Sequence, residues 1–250
     1  MNVTFQGEQN ENMTVLITGS SRGIGYAIAR EFACQPGNLV ILNGRTDQIQ
    51  LNKAMETLNA PGYLADVSDY NQAKALFEDI YKDYGCSIDI LINNAGISHF
   101  GLFSDTTPHD WDEILRHNLY STLNATHLAI PNMIRNKRGV IINISSIWGS
   151  TGASCEAIYA AAKGAVHAFT KSMAQELGPS GIRVNAIACG AIDTRMNERL
   201  TNEEQLDFTE KIPLMRFGTT TEVGKLAKFL ASDESSYITG QILGLNGGIV

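Results

Sequence analysis

Apolar and polar positions along this chain alternate in blocks that predict strands and helices in turn. Short runs of aliphatic and β-branched residues, such as 14–18 and 140–144, have the length and composition of strands buried on both faces. Longer segments lie between them, and in 73–81 the apolar residues recur at the spacing of a helix that buries one face. The other predicted strands are 39–42, 62–64, 88–92, 182–188 and 241–245.

This alternation predicts one doubly wound α/β domain of the Rossmann type, with a seven-stranded parallel sheet. The other predicted helices are 24–32, 48–58, 110–130, 159–177 and 221–231. The mixed, charged segment 196–218 is the predicted mobile lid. Residues 1–12 are polar and lack the basic start and apolar core of a signal peptide, so we expect a flexible tail followed by a domain over 13–250.

Composition excludes several classes of protein. The chain is 44% hydrophobic and 18% charged, and its net charge of -7 argues against nucleic acid as the main partner. No apolar run reaches membrane-spanning length. Four scattered cysteines without a CxxC pair fit reduced thiols in the cytoplasm, and the five histidines show no metal-ligand spacing, so we expect no metal.

A glycine-rich turn follows the first predicted strand and opens the first predicted helix. That context suits a phosphate-binding loop, because glycines let the backbone approach a pyrophosphate and a helix N-terminus offers unpaired N–H groups. A tight structural turn is the alternative. The residues predicted to bind a cofactor here are Gly19, Ser21, Arg22, Gly23, Ile24 and Gly25.

The end of the second strand indicates which dinucleotide binds. An acidic residue there would bind the ribose 2′-hydroxyl and repel a 2′-phosphate, but the chain has Asn43, Gly44 and Arg45, and Asp47 comes only later. Arg45 together with Arg22 can clamp a 2′-phosphate, which favours NADP(H) over NAD(H); two solvated arginines are the alternative. Asp66 and Val67, after the third strand, are the predicted adenine site.

Further candidate residues follow the later strands. Asn93 and Asn94 end the fourth strand and are predicted to tie strands together, while the small Ala95 and Gly96 leave space for a flat ring. Beyond the sixth strand, the loop residues predicted to contact the cofactor are Gly190, Ile192 and Thr194.

Tyr159 and Lys163 lie one helical turn apart, with alanines between them. Both side chains share one helical face, and a nearby ammonium is predicted to lower the pKa of the phenol, which makes Tyr159 a proton donor near neutral pH. Ser146 lies upstream at the end of the fifth strand, where a parallel sheet presents side chains to ligands. A chance pairing is the alternative, since Tyr and Lys occur at this spacing in many helices.

Asn118, in the middle of the long predicted helix, is either an exposed residue or one that opens the hydrogen-bond ladder for a water.

These residues together resemble the short-chain dehydrogenase/reductase family from about residue 13 to the C-terminus. Thr18, Gly19, Gly23, Ile24 and Gly25 resemble its cofactor loop, and residues 93–96 resemble its motif after strand four. Asn118, Ser146, Tyr159 and Lys163 fall where the catalytic tetrad of the family belongs. The resemblance implies hydride transfer and a homotetramer, with Ser146 bonding the ketone oxygen and Tyr159 protonating it. It also implies that Tyr159 and Lys163 contact the cofactor, that Lys163 holds the nicotinamide ribose, and that Asn118 holds a water.

Within the family, segments 213–218, 236–241 and 246–248 are similar to the 3-oxoacyl-[acyl-carrier-protein] reductases. That similarity implies a ketone substrate linked to an acyl-carrier protein or another small ketone. Residues 146–149 and 152–156 also resemble a branch that reduces a 5-aminopentanone group on elongation factor P. There Glu156 would favour a cationic amine, or it is simply an acid stabilised at a helix N-terminus.

Other functions stay open at this point. A hydroxysteroid dehydrogenase shares the catalytic group, and a non-catalytic nucleotide-sensing protein shares the fold.

Two departures from the family pattern matter. Cys189 and Gly190 replace the usual Pro-Gly after strand six, so Cys189 is predicted to approach the cofactor. An acidic carrier protein would need basic residues at the site mouth, and the candidates Arg135, Lys137 and Arg138 are equally well explained as a solvated turn.

Overall fold

Seven parallel strands form one sheet in the order β3-β2-β1-β4-β5-β6-β7. The computed structural model describes residues 12–194 and 202–249; the predicted tail 1–12 lies outside them apart from residue 12, as does the 196–201 part of the predicted lid. The strands are β1 (Thr14–Ile17), β2 (Leu39–Gly44), β3 (Gly62–Leu64), β4 (Ile90–Asn93), β5 (Gly139–Ser146), β6 (Ile182–Cys189) and β7 (Ile242–Leu245). The predicted doubly wound α/β fold is therefore confirmed.

Helices cover both faces of the sheet, which explains why the central strands are apolar on both sides. They are α1 (Gly23–Ala33), α2 (Gln48–Leu58), α3 (Tyr70–Tyr84), α4 (Pro108–Leu115), α5 (Ser121–Asn136), α6 (Trp148–Thr151), α7 (Ala157–Leu177), α8 (Asn202–Glu210) and α9 (Thr220–Ala231). On one face Ile17 packs with Ile28, Leu51 and Leu230, and on the other Leu16 packs with residues of α3, α5 and α7. Burial of these two apolar layers is the main force that holds the fold together.

The strand order reverses between β1 and β4, so the loops that follow these two strands leave on opposite sides and open a crevice. Ligands of open α/β sheets bind in such a crevice, at the carboxyl ends of the strands. Gly19 follows β1 and Asn94 follows β4, so the turn and motif predicted to bind a cofactor lie at this point.

The helix predicted over 110–130 begins two residues earlier, at Pro108, and runs through Pro131 to Asn136, with a π-helical turn at Arg116–Tyr120 in its middle. Thr107 and Asp110 form a capping box that fixes its start. A π turn inserts one extra residue into a helix and is often found at functional sites. Within 12–194 and 202–249, no helix is long and apolar enough to cross a bilayer.

Candidate active site

The glycine-rich turn after β1 is held against β4 by Asn94. Its Nδ2 donates to the carbonyl oxygens of Thr18 at 3.0 Å and Gly19 at 2.9 Å, which confirms that this asparagine ties the strands together. Gly19 has φ +62° and Gly23 has φ +60°, a backbone conformation that favours glycine. Gly25 lies behind the turn, where an added Cβ would be 2.5 Å from Asn94 Nδ2, so glycine is needed there for close packing.

A cavity of about 750 Å³ opens above this turn, a volume typical of small-molecule and cofactor sites. Its walls include most of the predicted cofactor residues. From the first half of the chain these are Gly19, Arg22, Gly23, Ile24, Asn94 and Gly96, and from the loop after β6 they are Gly190, Ile192 and Thr194.

All four residues of the predicted tetrad also line this cavity, so the structure brings together side chains that are far apart in sequence. Ser146 is the last residue of β5, and its hydroxyl lies near enough to the Tyr159 phenol to act against the rise in the pKa of that phenol. Trp148 N also donates to Ser146 Oγ at 3.2 Å, which orients the hydroxyl.

Two glycines bring α6 close to α7 and thereby position the helix that carries Tyr159 and Lys163. A Cβ on Gly149 would lie 2.7 Å from the Lys163 carbonyl carbon, and a Cβ on Gly164 would lie 3.1 Å from the Gly149 carbonyl oxygen. Backbones approach this closely only where side chains are absent.

Lys163 is buried, and its Nζ donates to the Ile144 carbonyl oxygen at 3.0 Å. Burial lowers the pKa of Lys163 to about 8, and the neighbouring Cys189 partly opposes that shift. Because its carbonyl partner lies on β5, Nζ sits 5.6 Å from the centroid of the Tyr159 ring.

The predicted lowering of the Tyr159 pKa by Lys163 is wrong in this structure. Burial raises the pKa of the phenol, with further contributions from Glu156 and Cys189, and only the hydrogen bond with Ser146 acts in the opposite direction. The physical reason is desolvation, which disfavours phenolate whatever the helical spacing. Burial therefore favours the protonated phenol of Tyr159.

Asn118 lies in the π turn and is buried. Its Nδ2 donates to the Ile114 carbonyl, four residues back, at 2.9 Å and to the Ile97 carbonyl at 2.8 Å. The side chain thus takes a carbonyl that an α-helix would give to a backbone N–H, which confirms that Asn118 opens the ladder.

Asn118 Oδ1 has no hydrogen-bond partner although it is buried. Both this atom and Lys163 Nζ lie beside Gly96, 2.6 Å and 3.7 Å from the position of an added Cβ. An orphaned acceptor next to a buried ammonium is an arrangement that one water molecule satisfies.

The described residues fit a dinucleotide. An added Cβ on Gly23 would meet nothing within 4 Å, and this open space faces the cavity at the start of α1, where Arg22 provides no side-chain cap for the helix N–H groups. These groups and the glycine turn suit a pyrophosphate, while Lys163 and the orphaned Asn118 Oδ1 lie at the other end of the cavity.

The two arginines predicted to clamp a 2′-phosphate point in different directions. Arg22 Nη1 lies 3.7 Å from Asp47 Oδ2, whereas Arg45 Nη1 lies 2.7 Å from Nε2 of His117. Among the described residues that line the cavity, Arg45 is absent, and the same holds for five other predicted cofactor residues: Ser21, Gly25, Asp66, Val67 and Ala95.

Several site residues were missed from sequence. Gln50 Nε2 donates to the Ser21 carbonyl and lines the cavity, and Phe208 and Phe217 meet edge to face at 5.9 Å between ring centroids on the cavity wall. His117, a buried side chain directly before the predicted tetrad residue Asn118, was also missed. No local pattern marks these residues, because their roles depend on contacts between distant segments.

Cys189 lines the cavity as predicted and is buried. Burial raises the pKa of its thiol to about 12, against a lowering by Lys163, so the sulfur remains a thiol at neutral pH.

The basic residues Arg135, Lys137 and Arg138 do not line the mouth of the cavity within this chain. They directly precede β5, so they lie at the amino-terminal end of that strand. Ser146, near Tyr159, lies at its carboxyl end. That part of the sequence interpretation is corrected by the direction of the strand. In the described part of the chain, no cluster of three or more His, Cys, Asp or Glu side chains could hold a metal ion.

A dinucleotide crevice beside a Ser–Tyr–Lys–Asn constellation defines an oxidoreductase that acts on a secondary alcohol or a ketone. A family model described as Enoyl-(Acyl carrier protein) reductase matches residues 19–250. The chain belongs to the short-chain dehydrogenase/reductase family, whose members use a nicotinamide nucleotide.

Known relatives match almost the whole chain. It is 43% identical to the uncharacterized oxidoreductase YmfI of Bacillus subtilis, over 95% of this chain and 98% of that protein. It is 40% identical to the 3-oxoacyl-[acyl-carrier-protein] reductase FabG of Thermotoga maritima, over 96% of this chain and 98% of that protein. A crystal structure of the 3-oxoacyl-[acyl-carrier protein] reductase from Brucella melitensis aligns with a TM-score of 0.89 at 35% identity, covering 96% of this chain and 91% of that one.

Proposed function

We propose that this protein reduces a ketone to a secondary alcohol with NADPH, and that its substrate is a 3-oxoacyl group on an acyl-carrier protein. The observation that carries the proposal is the convergence of Ser146, Tyr159, Lys163 and Asn118 on one cavity of cofactor size. Similarity to 3-oxoacyl-[acyl-carrier-protein] reductases over most of the chain supports the substrate class.

Ser146 and Tyr159 act on the carbonyl oxygen of the substrate. The hydroxyl of Ser146 donates a hydrogen bond to that oxygen as negative charge develops, and the Tyr159 phenol then transfers its proton to it. Since burial raises the pKa of Tyr159, the phenol is fully protonated at neutral pH and ready to donate. NADPH, when bound, supplies the hydride that the carbonyl carbon receives.

Lys163 and Asn118 resupply the proton. After donation Tyr159 is a phenolate, and the Lys163 ammonium beside it stabilises that charge and returns a proton. The orphaned Asn118 Oδ1 holds a water from which Lys163 is reprotonated. A pKa of about 8 for Lys163 suits this relay, because the ammonium can both lose and regain its proton near neutral pH.

NADP(H) is the proposed cofactor because no acidic residue ends β2, because Arg22 lines the cavity beside the glycine turn, and because Arg45 directly follows β2. The pairing of Arg22 with Asp47 at 3.7 Å is exposed and therefore weak, so a phosphate can replace that carboxylate. The proposed assembly is a homotetramer in the cytoplasm, in line with the family.

A second candidate substrate is favoured by Glu156. Its side chain belongs to the cavity wall, and its charge contributes to the raised pKa of Tyr159. A carboxylate in the cavity wall would attract a ketone that carries a protonated amine, such as a 5-aminopentanone group on elongation factor P. Reduction of that group is the alternative function.

The test follows NADPH and NADH oxidation by absorbance with acetoacetyl-CoA as substrate. We expect turnover with NADPH that exceeds turnover with NADH and is abolished in Tyr159→Phe. Tight NADPH binding without turnover would refute the acyl substrate, and an aminoketone-modified protein would then be assayed in wild type and Glu156→Gln. Failure of every ketone would support the non-catalytic, nucleotide-sensing alternative. Comparable or faster turnover with NADH would refute NADP(H) and favour a hydroxysteroid-type dehydrogenase.

A further inference from the structure

Gln50 joins the first turn of α2 to the glycine-rich turn that follows β1. Its Nε2 donates to the Ser21 carbonyl oxygen at 3.2 Å, and both residues are half-buried. A carbonyl oxygen only accepts hydrogen bonds, so the amide nitrogen of Gln50 is the atom that faces it. The two residues belong to successive βα units, and this bond therefore ties one unit to the other.

Other side chains hold the first half of the same turn. Gly19 N donates to Asn43 Oδ1 at 3.2 Å, and Asn94 Nδ2 donates to the Gly19 carbonyl at 2.9 Å. Gln50 reaches the second half, two residues before Gly23. Because glycine loses more conformational freedom than any other residue when it is ordered, the segment next to Gly23 gains from being fixed before a ligand arrives.

A second link between α2 and the turn is an exposed ion pair. Arg22 Nη1 lies 3.7 Å from Asp47 Oδ2, and about half of each side chain is exposed, so this pair contributes little. Asp47 Oδ1 accepts a hydrogen bond from the backbone N of Gln50 at 2.9 Å and thereby caps α2. The cap fixes the backbone from which the Gln50 side chain extends towards the turn.

This bond lies at the end of the cavity that suits a pyrophosphate. Gln50 lines the cavity together with Gly19, Arg22 and Gly23, and α1 begins at Gly23 without a side-chain cap for its N–H groups. We propose that Gln50 is a positioning residue, which fixes the glycine-rich turn in the conformation that binds the pyrophosphate of a nicotinamide dinucleotide. A turn that is ordered in advance loses less freedom on binding, and the ligand therefore binds more tightly.

Gln50→Met tests the proposal, and Gln48→Met is its matched control. Methionine has a similar length but no donor, and the substitution retains the backbone N that Asp47 caps. Gln48 lies in the same turn of α2, and its Nε2 donates to Asn52 Oδ1 at 2.7 Å, within the helix. Each variant loses one side-chain hydrogen bond, but only Gln50→Met loses the bond to Ser21.

Isothermal titration calorimetry with NADPH, NADH and ADP measures the effect without turnover. In Gln50→Met we expect all three ligands to bind more weakly by the same factor of about five, the size of one net hydrogen bond, because each contains the pyrophosphate. In Gln48→Met all three should bind as they do to wild type, and the two variants should have the same melting temperature without ligand. In ketone reduction the change should appear in KM for the nucleotide rather than in kcat.

The possible outcomes are distinguishable. Binding by Gln50→Met that equals binding by the control would overturn the proposal. Weaker binding of NADPH alone would also overturn it, because Gln50 would then contact the 2′-phosphate itself. Weaker binding with a melting temperature below that of the control would mean general damage to α2 and would reject a specific positioning role. A wild-type preference for NADH would refute the proposed NADP(H), but equal weakening of the three ligands in Gln50→Met would still support this inference.

Discussion

The close approach of α6 to α7 predicts that Gly149→Ala displaces Lys163, to which we assign a catalytic role. A Cβ at residue 149 would lie 2.7 Å from the Lys163 carbonyl carbon and 2.8 Å from both the Lys163 carbonyl oxygen and His167 Cε1. Two of these three contacts are backbone atoms of α7, which cannot rotate away as a flexible side chain can. The added methyl group therefore has to push the two helices apart.

The magnitude follows from the cost of overpacking. One methyl group forced into a close-packed contact destabilises a protein by about 1–3 kcal/mol. Lys163 Nζ reaches the Ile144 carbonyl at 3.0 Å, so a shift of its backbone also misplaces the ammonium. A displacement of about 1 Å can reduce kcat by up to about a hundredfold, and we expect a loss of at least about tenfold.

The measurement compares Gly149→Ala with Gly178→Ala by denaturant unfolding and by kcat for ketone reduction. Gly178 is a matched control, because it has φ -52° and ψ -45°, and an added Cβ meets nothing within 4 Å. Alanine is easily accommodated in that conformation, so the control should be as stable as wild type or slightly more so.

One result would refute the reasoning. If Gly149→Ala matched Gly178→Ala in unfolding free energy and in kcat, the α6–α7 contact would not position Lys163. Loss of stability with unchanged kcat would retain the packing argument and reject its catalytic consequence.

Three further predictions concern buried polar groups. The folded-state pKa of Lys163, about 8, lies below its ordinary 10.5, so protonation is disfavoured by folding and the contribution of Lys163 to the unfolding free energy should rise between pH 8 and 10.5 by up to about 3 kcal/mol, against an opposing contribution from the Cys189 thiol, whose pKa is raised to about 12. Denaturant titrations of wild type and Lys163→Met isolate that slope, and parallel pH profiles would contradict it. Asn143→Ala removes one of the two acceptors of Asn93 Nδ2, the Oδ1 atom 2.9 Å away, and should lower the unfolding free energy by about 1–3 kcal/mol; an unchanged unfolding free energy would contradict this prediction. Cys34 is exposed and Cys189 is a buried thiol with a pKa of about 12, so iodoacetamide at pH 8 followed by mass spectrometry should label the first and spare the second.

The sequence predicted best those elements whose signal is local. Helix α2 and strand β3 have the predicted bounds. For α2 the signals are local, because the Asp47 side chain accepts a hydrogen bond from Gln50 N at its start and Asn59 adopts a left-handed conformation at its end. The long helix was predicted over 110–130 but begins at Pro108 and continues to Asn136, since its capping by Thr107 and its passage through Pro131 depend on packing.

The sequence predicted which residues lie together in the site, but not the direction of the pKa shift at Tyr159. Spacing along α7 correctly places Tyr159 and Lys163 on one face. It does not reveal that Lys163 Nζ turns to the Ile144 carbonyl, or that burial outweighs the ammonium at the phenol. Burial is a property of the assembled layers, so the sign of a pKa shift cannot be taken from the distance along a helix alone.

The π turn shows most clearly why some contacts of the site could not be predicted from sequence. His117 and Asn118 are adjacent, yet one faces Arg45 at the end of β2 and the other lies beside Gly96 and the Ile97 carbonyl. Successive residues of a helix point about 100° apart, so one turn can supply both sides of a crevice once an extra residue sets its rotation. Sequence periodicity detects the helix but not the inserted residue, because the apolar spacing on either side of Asn118 remains helical. The same insertion that places Asn118 beside Lys163 therefore also places His117 against Arg45, so both contacts depend on one local feature of the backbone.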